Sequence, residues 1–284
     1  MLTTVVFRSS NSDFYPDLTI PVVDPSPDQP LFIHNITGLE PPPATINSRG
    51  YGSINGEFYV GSHIGKRNIV FTFGLNETSG YASVSNARSV LSGYMMVQGQ
   101  VLLRFLSNDR APVDIEGYVE TWTPNRFSQE PEVQVSIICP KPNFTAIEPK
   151  EFTGLASDDP DDVVVPYHGT LATGIELVMD LPGSGLLGSI FVEIGLFPGS
   201  YREFEIEEVV SYVGDTFAMD SRANNKFVKQ RQLEGDDINL FSFVTNTAFW
   251  PYVQPADNLF RVRTPDSEEE LEWTLTIIEQ FASI

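Results

Sequence analysis

The chain has 284 residues, 41% of them apolar and 19% charged, which is length and hydrophobicity enough for one large or two medium folded domains. Its net charge of −21, from 17 basic and 38 acidic residues, argues against sequence-specific or general nucleic-acid binding through a basic face. Cys139 is the single cysteine, so an intrachain disulfide and a cysteine-rich metal site are excluded.

The charge is unevenly spread. Residues 1–150 hold 10 basic and 14 acidic side chains, and residues 151–284 hold 7 and 24. The start, MLTTVVFRSSNSDFYPDL, lacks a basic n-region and a long apolar core, so no signal peptide is expected. No apolar run approaches the roughly 20 residues of a membrane span. Without a secretory signal, the Asn-X-Thr triplets at Asn35, Asn76 and Asn143 read as chance. Twenty-one glycines, 21 prolines and 20 phenylalanines point to many short strands and turns.

In chain order, residues 1–38 read as extended pieces broken by DPSPDQP at 24–30. Three prolines at 41–43 forbid a regular element there. NSRGYGSINGEFYVG reads as turns leading to a strand. RNIVFTFGL sets Ile69, Phe71, Phe73 and Leu75 on one face, the period of a half-buried strand. Residues 83–98 are the best helix, with Val84, Ala87, Val90, Leu91 and Tyr94 along one stripe. Gly93, a poor interior residue, leaves the length of that helix open. QVLLRFLSND, VDIEGYVETWTPNRF and PEVQVSIICPKPNF then alternate as three antiparallel strands. After a connection at 146–165, about eight short strands suit a β-sandwich or jelly-roll. No internal repeat is present.

Motifs for chemistry are sparse. His34, His63 and His168 stand in no metal-ligand spacing, and no nucleophile elbow, dinucleotide-binding or phosphate-loop pattern occurs. The DDPDD cluster at 158–162 lacks the spacing of an EF-hand and reads as a solvated acidic loop. In EFEIEE at 203–208, Phe204 and Ile206 point inward and Glu203, Glu205 and Glu207 outward. Trp250 and Tyr252, with Phe249, form either a sugar-stacking platform or the buried corner of a sandwich, and the core reading is favoured. Neither a catalytic nor a metal-binding set emerges, and no cofactor is implied.

The order of these parts carries a resemblance. The Arg67-Asn68-Ile69 strand precedes a helix holding Arg88 and Leu91. Much later come Trp250, the turn Pro255-Ala256-Asp257-Asn258, and the strands LFRVR and LEWTLTIIEQF. This pattern, over roughly residues 45–145 and 205–284, resembles the distal tail protein (Dit) family of siphophages, the long-tailed, non-contractile bacteriophages. Ala256 replaces the glycine of the family's turn.

The resemblance implies a mainly β chain in two domains. Residues 1–148 would form an N-terminal β-sandwich or split-barrel ring domain with one short helix. Residues 149–284 would form an outer, galectin-like β-sandwich. The implied role is structural and not enzymatic. A hexameric ring at the virion's tail tip, assembled in the bacterial host cytoplasm, would join the tail tube protein to the tail hub around a channel for DNA. Receptor-binding or fibre proteins would be further partners, with no sequence-specific nucleic acid and no membrane span. Lys66, Arg67, Arg88 and Arg104, with Arg110 and Arg126, are candidate subunit-contact residues, since charge pairs set register and partner choice. The alternatives are a carbohydrate- or receptor-binding tail protein acting through Trp250 and Tyr252, or another minor tail protein. Most of the acid lies in the second domain, outside the channel, where it would keep that domain soluble.

Overall fold

The computed structural model describes residues 1–9, 16–22, 31–52, 55–75, 84–125, 131–196, 200–233, 235–245 and 249–284. The proline-rich break at 24–30, Asn76 and Arg126 lie outside the described residues. The chain divides into two compact units, Met1–Ile147 with Phe281–Ile284, and Glu148–Gln280. The last four residues thus belong to the first unit, whereas the sequence pattern assigns them to the second.

Unit 1 contains β1 (Leu2–Ser9), β2 (Leu18–Pro21), β3 (Leu31–Thr37), β4 (Ala44–Gly50), β5 (Glu57–Ile64) and β6 (Arg67–Leu75). Then come α1 (Val84–Tyr94), β7 (Gln100–Ser107), β8 (Val113–Pro124), β9 (Glu132–Cys139) and β10 (Phe144–Ala146). The main sheet runs β2-β1-β7-β8-β9-β6-β3, all antiparallel. Its two ends approach each other, because Val22, just past β2, bridges Ile33 of β3. The sheet is therefore curled almost shut.

The alternation in β6 drives this curl. Ile69, Phe71 and Phe73 are fully buried while Asn68 is exposed. Phe7 of β1 meets Phe71 edge-to-face at 5.1 Å, although three strands separate them in the sheet. Such contact across the interior adds about 1 kcal/mol to simple area burial. The helix packs Ala87 and Leu91 against this core, near β1 and β6. It is shorter than the pattern over 83–98 suggests. It ends at Tyr94, directly after Gly93, and Gln98 takes a left-handed φ of 69° as Gly99 N–H closes onto the Met96 carbonyl.

Arg67 opens β6 and is 2% exposed. Its guanidinium donates to the carbonyls of Pro142 at 2.6 Å, Gly38 at 2.7 Å and Glu40 at 2.7 Å, and to that of Ala282. It also lies 4.5 Å from the centre of the Phe144 ring. Burial lowers its pKa, opposed by the charges it faces, including Glu40. Gly38 is obligatory beside it: φ is +89°, and a Cβ would sit 2.0 Å from the Asn68 carbonyl oxygen. Cys139 pairs with Arg67 across β6 and β9, and burial pushes its thiol up to about 12, so it is an inert packing group.

Unit 2 contains β11 (Lys150–Ala156), β12 (Val163–Tyr167), β13 (Thr173–Asp180), β14 (Ser184–Leu196), β15 (Ser200–Tyr212), β16 (Thr216–Asp220) and β17 (Phe227–Arg231). β18 (Ile238–Asn239), a 3-10 turn (Phe241–Phe243), β19 (Tyr252–Val253), β20 (Ala256–Arg263) and β21 (Leu271–Ile277) follow. One sheet runs β11-β21-β13-β16-β17-β18 and the other β12-β20-β14-β15. Alternate residues of both sheets meet in one core, with Phe260 of β20 packed edge-to-face on Trp273 of β21 at 5.0 Å. This is a β-sandwich. In β15, Phe204 and Ile206 are buried and Glu203 and Glu207 exposed, as the alternation of EFEIEE requires.

Two outcomes follow for stability. Replacing Arg67 with Met leaves four part-buried carbonyls without their donor, each costing about 1 kcal/mol. A loss of about 4 kcal/mol is expected, read by calorimetry as a lowered transition for unit 1 with that of unit 2 unchanged. In unit 2, burial raises the Glu279 pKa. The Lys150 ammonium at 2.6 Å and the His168 N–H at 2.9 Å more than offset this, leaving the carboxyl below its ordinary 4.5. A depressed folded pKa stabilises fully above 4.5, and that stability is lost as pH falls through the lower folded value. Denaturation midpoints from pH 6 down to pH 3 should fall less steeply in Glu279→Gln than in the parent.

Candidate functional site

The basic residues singled out in the sequence divide by environment. Lys66 is exposed. Arg67, its neighbour, turns inward, and its donors are spent on the chain's own carbonyls. The expectation of a subunit contact at Arg67 is therefore corrected: the strand's buried face begins at this residue. Arg104 of β7 lies directly across from Asp114 of β8 and holds it with two bonds, at 2.9 and 3.0 Å. Arg8 grips Asp17 in the same way, at 2.9 and 2.7 Å. Arg88 donates to the Asn125 carbonyl at 2.8 Å, and Arg110 to that of Ser283 at 3.3 Å.

The aromatic candidates of unit 2 sit in a more suggestive place. Trp250 is half-buried, packing on Phe204 at 5.2 Å and stacking with Phe241 at 6.1 Å. It thus serves the core, yet it also borders an open depression of about 580 Å³ with Tyr252, Phe249, Arg202 and Lys226. A smaller hollow of about 110 Å³ shares the wall formed by Arg202, Phe249 and Tyr252. The Arg202 guanidinium lies 5.8 Å from the Phe249 ring centre and 5.7 Å from that of Tyr252, and donates to the Tyr252 hydroxyl at 2.5 Å. The Lys226 ammonium stands 5.1 Å from the Trp250 ring centre. These are cation–π distances, worth about 0.5–1 kcal/mol each at exposed sites.

The rim is held from beneath. Asp220, fully buried at the end of β16, accepts from the Arg222 backbone N–H at 2.8 Å and from the Arg222 and Asn225 side chains. Asn224 completes the turn with a left-handed φ of 68°, which asparagine tolerates. This turn delivers Lys226. The Ser221 hydroxyl receives the Ile175 N–H at 2.8 Å and donates to the Pro251 carbonyl at 2.5 Å, fixing the Trp250 segment to β13. The expected turn at Pro255–Asn258 is corrected: Ala256, Asp257 and Asn258 open β20, paired with Tyr167, Pro166 and Val165 of β12, so no glycine is needed there. The Asn258 side chain accepts from Gln254 N–H at 3.0 Å and donates to the Gln254 and Ala256 carbonyls.

Aromatic faces beside cations suit a ligand with apolar patches and polar or charged edges. Arg202 and Lys226 could not be placed here from sequence, because they lie 50 and 26 residues from Tyr252 and meet it only in the fold. A separate charged cluster joins Glu193 to Arg261 and Arg263, and Arg263 to Glu203 at 3.1 Å. There burial, then Glu193, pushes the Glu203 pKa up. The 158–162 loop is exposed at its aspartates, and Asp162 lies 3.8 Å from Arg261. Among the described residues, no group of three or more His, Cys, Asp or Glu is placed to hold a metal ion.

No family model matches this sequence, and no curated protein matches it. Among solved structures, the Dit protein of phage SPP1 superposes with a TM-score of 0.62 at 11% identity, over 96% of this chain and 98% of that one. That protein is described as a paradigm of the hub adsorption apparatus in phages infecting Gram-positive hosts. A chain of the phage p2 baseplate in its activated conformation gives a TM-score of 0.41 at 10% identity, over 98% of each chain. The chain has a Dit-like, mainly β fold.

Arg222 tests the support beneath the rim. Arg222→Met leaves the Asp220 carboxylate buried without its cation, a loss of about 3 kcal/mol or more. A lowered unfolding midpoint for unit 2 is expected. A midpoint within error of the parent would mean that Asp220 is supported by other groups.

Proposed function

We propose that this chain is a structural subunit of the tail tip of a long-tailed, non-contractile phage. Six copies form a ring that joins the tail tube protein to the central hub and leaves a channel for DNA. The carrying observation is the superposition on SPP1 Dit, which spans both units and nearly the whole of each chain. The role is one of assembly, and no step of chemistry is assigned to it.

A feature of unit 1 supports assembly with further copies. Strands β4 and β5 form a hairpin that, among the described residues, has no other sheet neighbour. Its strands are exposed almost throughout, including Ile46, Phe58, Tyr59 and Val60 at 54–67%. A lone two-stranded ribbon is marginal in water, and large apolar side chains exposed on both of its faces mark an interaction surface. A neighbouring subunit is its natural cover. Lys66, which follows the hairpin, with Arg88 and Arg104, remains a proposed contact residue. Tube, hub and receptor-binding or fibre proteins are the further partners in this reading, and the virion tail tip is its location.

A second reading concerns unit 2 and is compatible with the first. The depression at Trp250 and Tyr252 binds carbohydrate on the host surface.

Sedimentation of the full chain tests the ring. A species of six copies is expected. A triple variant, Phe58→Ser, Tyr59→Ser and Val60→Ser, should shift it to monomer, since central aromatic contacts each contribute about 2 kcal/mol. Circular dichroism of the variant should be unchanged, because these side chains lie outside the core. A parent that stays monomeric at all concentrations, alone and with tube and hub proteins, overturns the proposal.

A further inference from the structure

Unit 2 is strongly acidic, with 25 acidic and 8 basic side chains between residues 148 and 280. In such a field a cation finds a carboxylate easily. Lys150, Arg222, Lys229, Arg261 and Arg263 each do so. Among the described residues, Arg202, Lys226 and Arg231 have no carboxylate within ion-pair distance. The first two border the same depression.

Their contacts are unusual in a second respect. Arg202 touches ring faces and the Tyr252 hydroxyl, and Lys226 touches the Trp250 face. Aromatic faces hold a cation in position without neutralising it. Both side chains are exposed, so neither charge is spent on the fold. The walls between them are small: Gly174 pairs with Tyr252, and a Cβ at Gly174 would lie 2.5 Å from the backbone of Ser221 and Arg222. The result is an open recess with aromatic sides and two unneutralised cations in an otherwise acidic domain.

We infer that this depression binds an anionic glycan, a sugar chain carrying phosphate or carboxylate groups. The sugar rings lie against Trp250 and Tyr252, and the oxyanions face Arg202 and Lys226. The inference rests on the reading that the depression binds carbohydrate, and adds the charge of the ligand to it. A planar guanidinium matches carboxylate and phosphate with two parallel hydrogen bonds, and the ammonium adds a movable point charge. The surrounding acid repels anions that lack the sugar contacts, so affinity requires both parts of the ligand.

Calorimetric titration of the full chain with two matched pairs tests this. One pair is trigalacturonate and its neutral methyl ester. The other is phosphorylated oligomannose and its unphosphorylated form. The expected result is at least tenfold tighter binding of one anionic member than of its neutral partner at 50 mM salt, shrinking at 500 mM as screening predicts. The pair that shows the effect identifies carboxylate or phosphate as the anion. Lys226→Gln, at an exposed side chain, should lose about tenfold for the anionic form and leave the neutral form unchanged. Arg202→Gln should lose at least as much for the anionic form and, because Arg202 also holds the Tyr252 hydroxyl, weaken the neutral form to a smaller extent, and Trp250→Ala should weaken both forms. Neutral and anionic forms binding equally overturns the inference while leaving the carbohydrate reading in place. No binding of any of the four overturns both. Inorganic phosphate binding as tightly as the phosphorylated glycan, or unchanged affinity in both glutamine variants, also overturns it.

Discussion

A buried guanidinium organises the first unit. Arg67 starts the strand whose next residues supply the core row Ile69, Phe71 and Phe73. Its hydrogen bonds reach three other parts of the chain: the Gly38–Glu40 turn, Pro142 after β9, and Ala282 near the C-terminus. A buried cation without acceptors would cost several kcal/mol. Each of those segments must therefore present a carbonyl at the same point. Gly38 and Glu40 lie between the end of β3 and the Pro41–Pro43 run, which cannot enter a ladder, so their carbonyls are free to turn toward a cation. The return of residues 281–284 to unit 1 has the same cause in part, since Ala282 is one of the acceptors.

Much of the strand pattern is legible along the chain because burial in a sheet alternates with period two. RNIVFTFGL and EFEIEE both bury the residues that alternation selects. The helix is legible from its stripe, and its end is marked by Gly93, though the apolar residues beyond, Met95 and Met96, extend the pattern past the true terminus. The inward turn of Arg67 is not legible. A basic pair at the head of a strand looks like surface, and which member is buried depends on carbonyls supplied from distant segments. The same holds for the rim of the depression. Trp250 and Tyr252 stand out by residue type, whereas Arg202 and Lys226 look like ordinary surface cations until their lack of acidic partners is seen in three dimensions. Asn258 belongs with these: its side chain ties the start of β20 to the Gln254 backbone, where the sequence pattern suggests a turn.

The two units divide two physical tasks. Unit 1 has nearly balanced charge, a closed aromatic interior and one apolar hairpin left uncovered, which are the properties of a piece that completes itself against neighbours. Unit 2 carries the excess acid, completes its own core between two sheets, and keeps two cations aside at an aromatic recess. High like charge hinders close packing of such units on one another while leaving a specific site accessible. The proposed ring of first units, with second units bearing the proposed recognition site, fits both sets of properties.

Electron cryomicroscopy of the intact particle tests this account most directly. It predicts six copies of the chain in one ring at the tail tip, between the last ring of tube protein and the hub, with the β4–β5 hairpin of each copy lying on the next. Finding the chain in another position or another symmetry, or finding the hairpin exposed to solvent in the assembled ring, would contradict it.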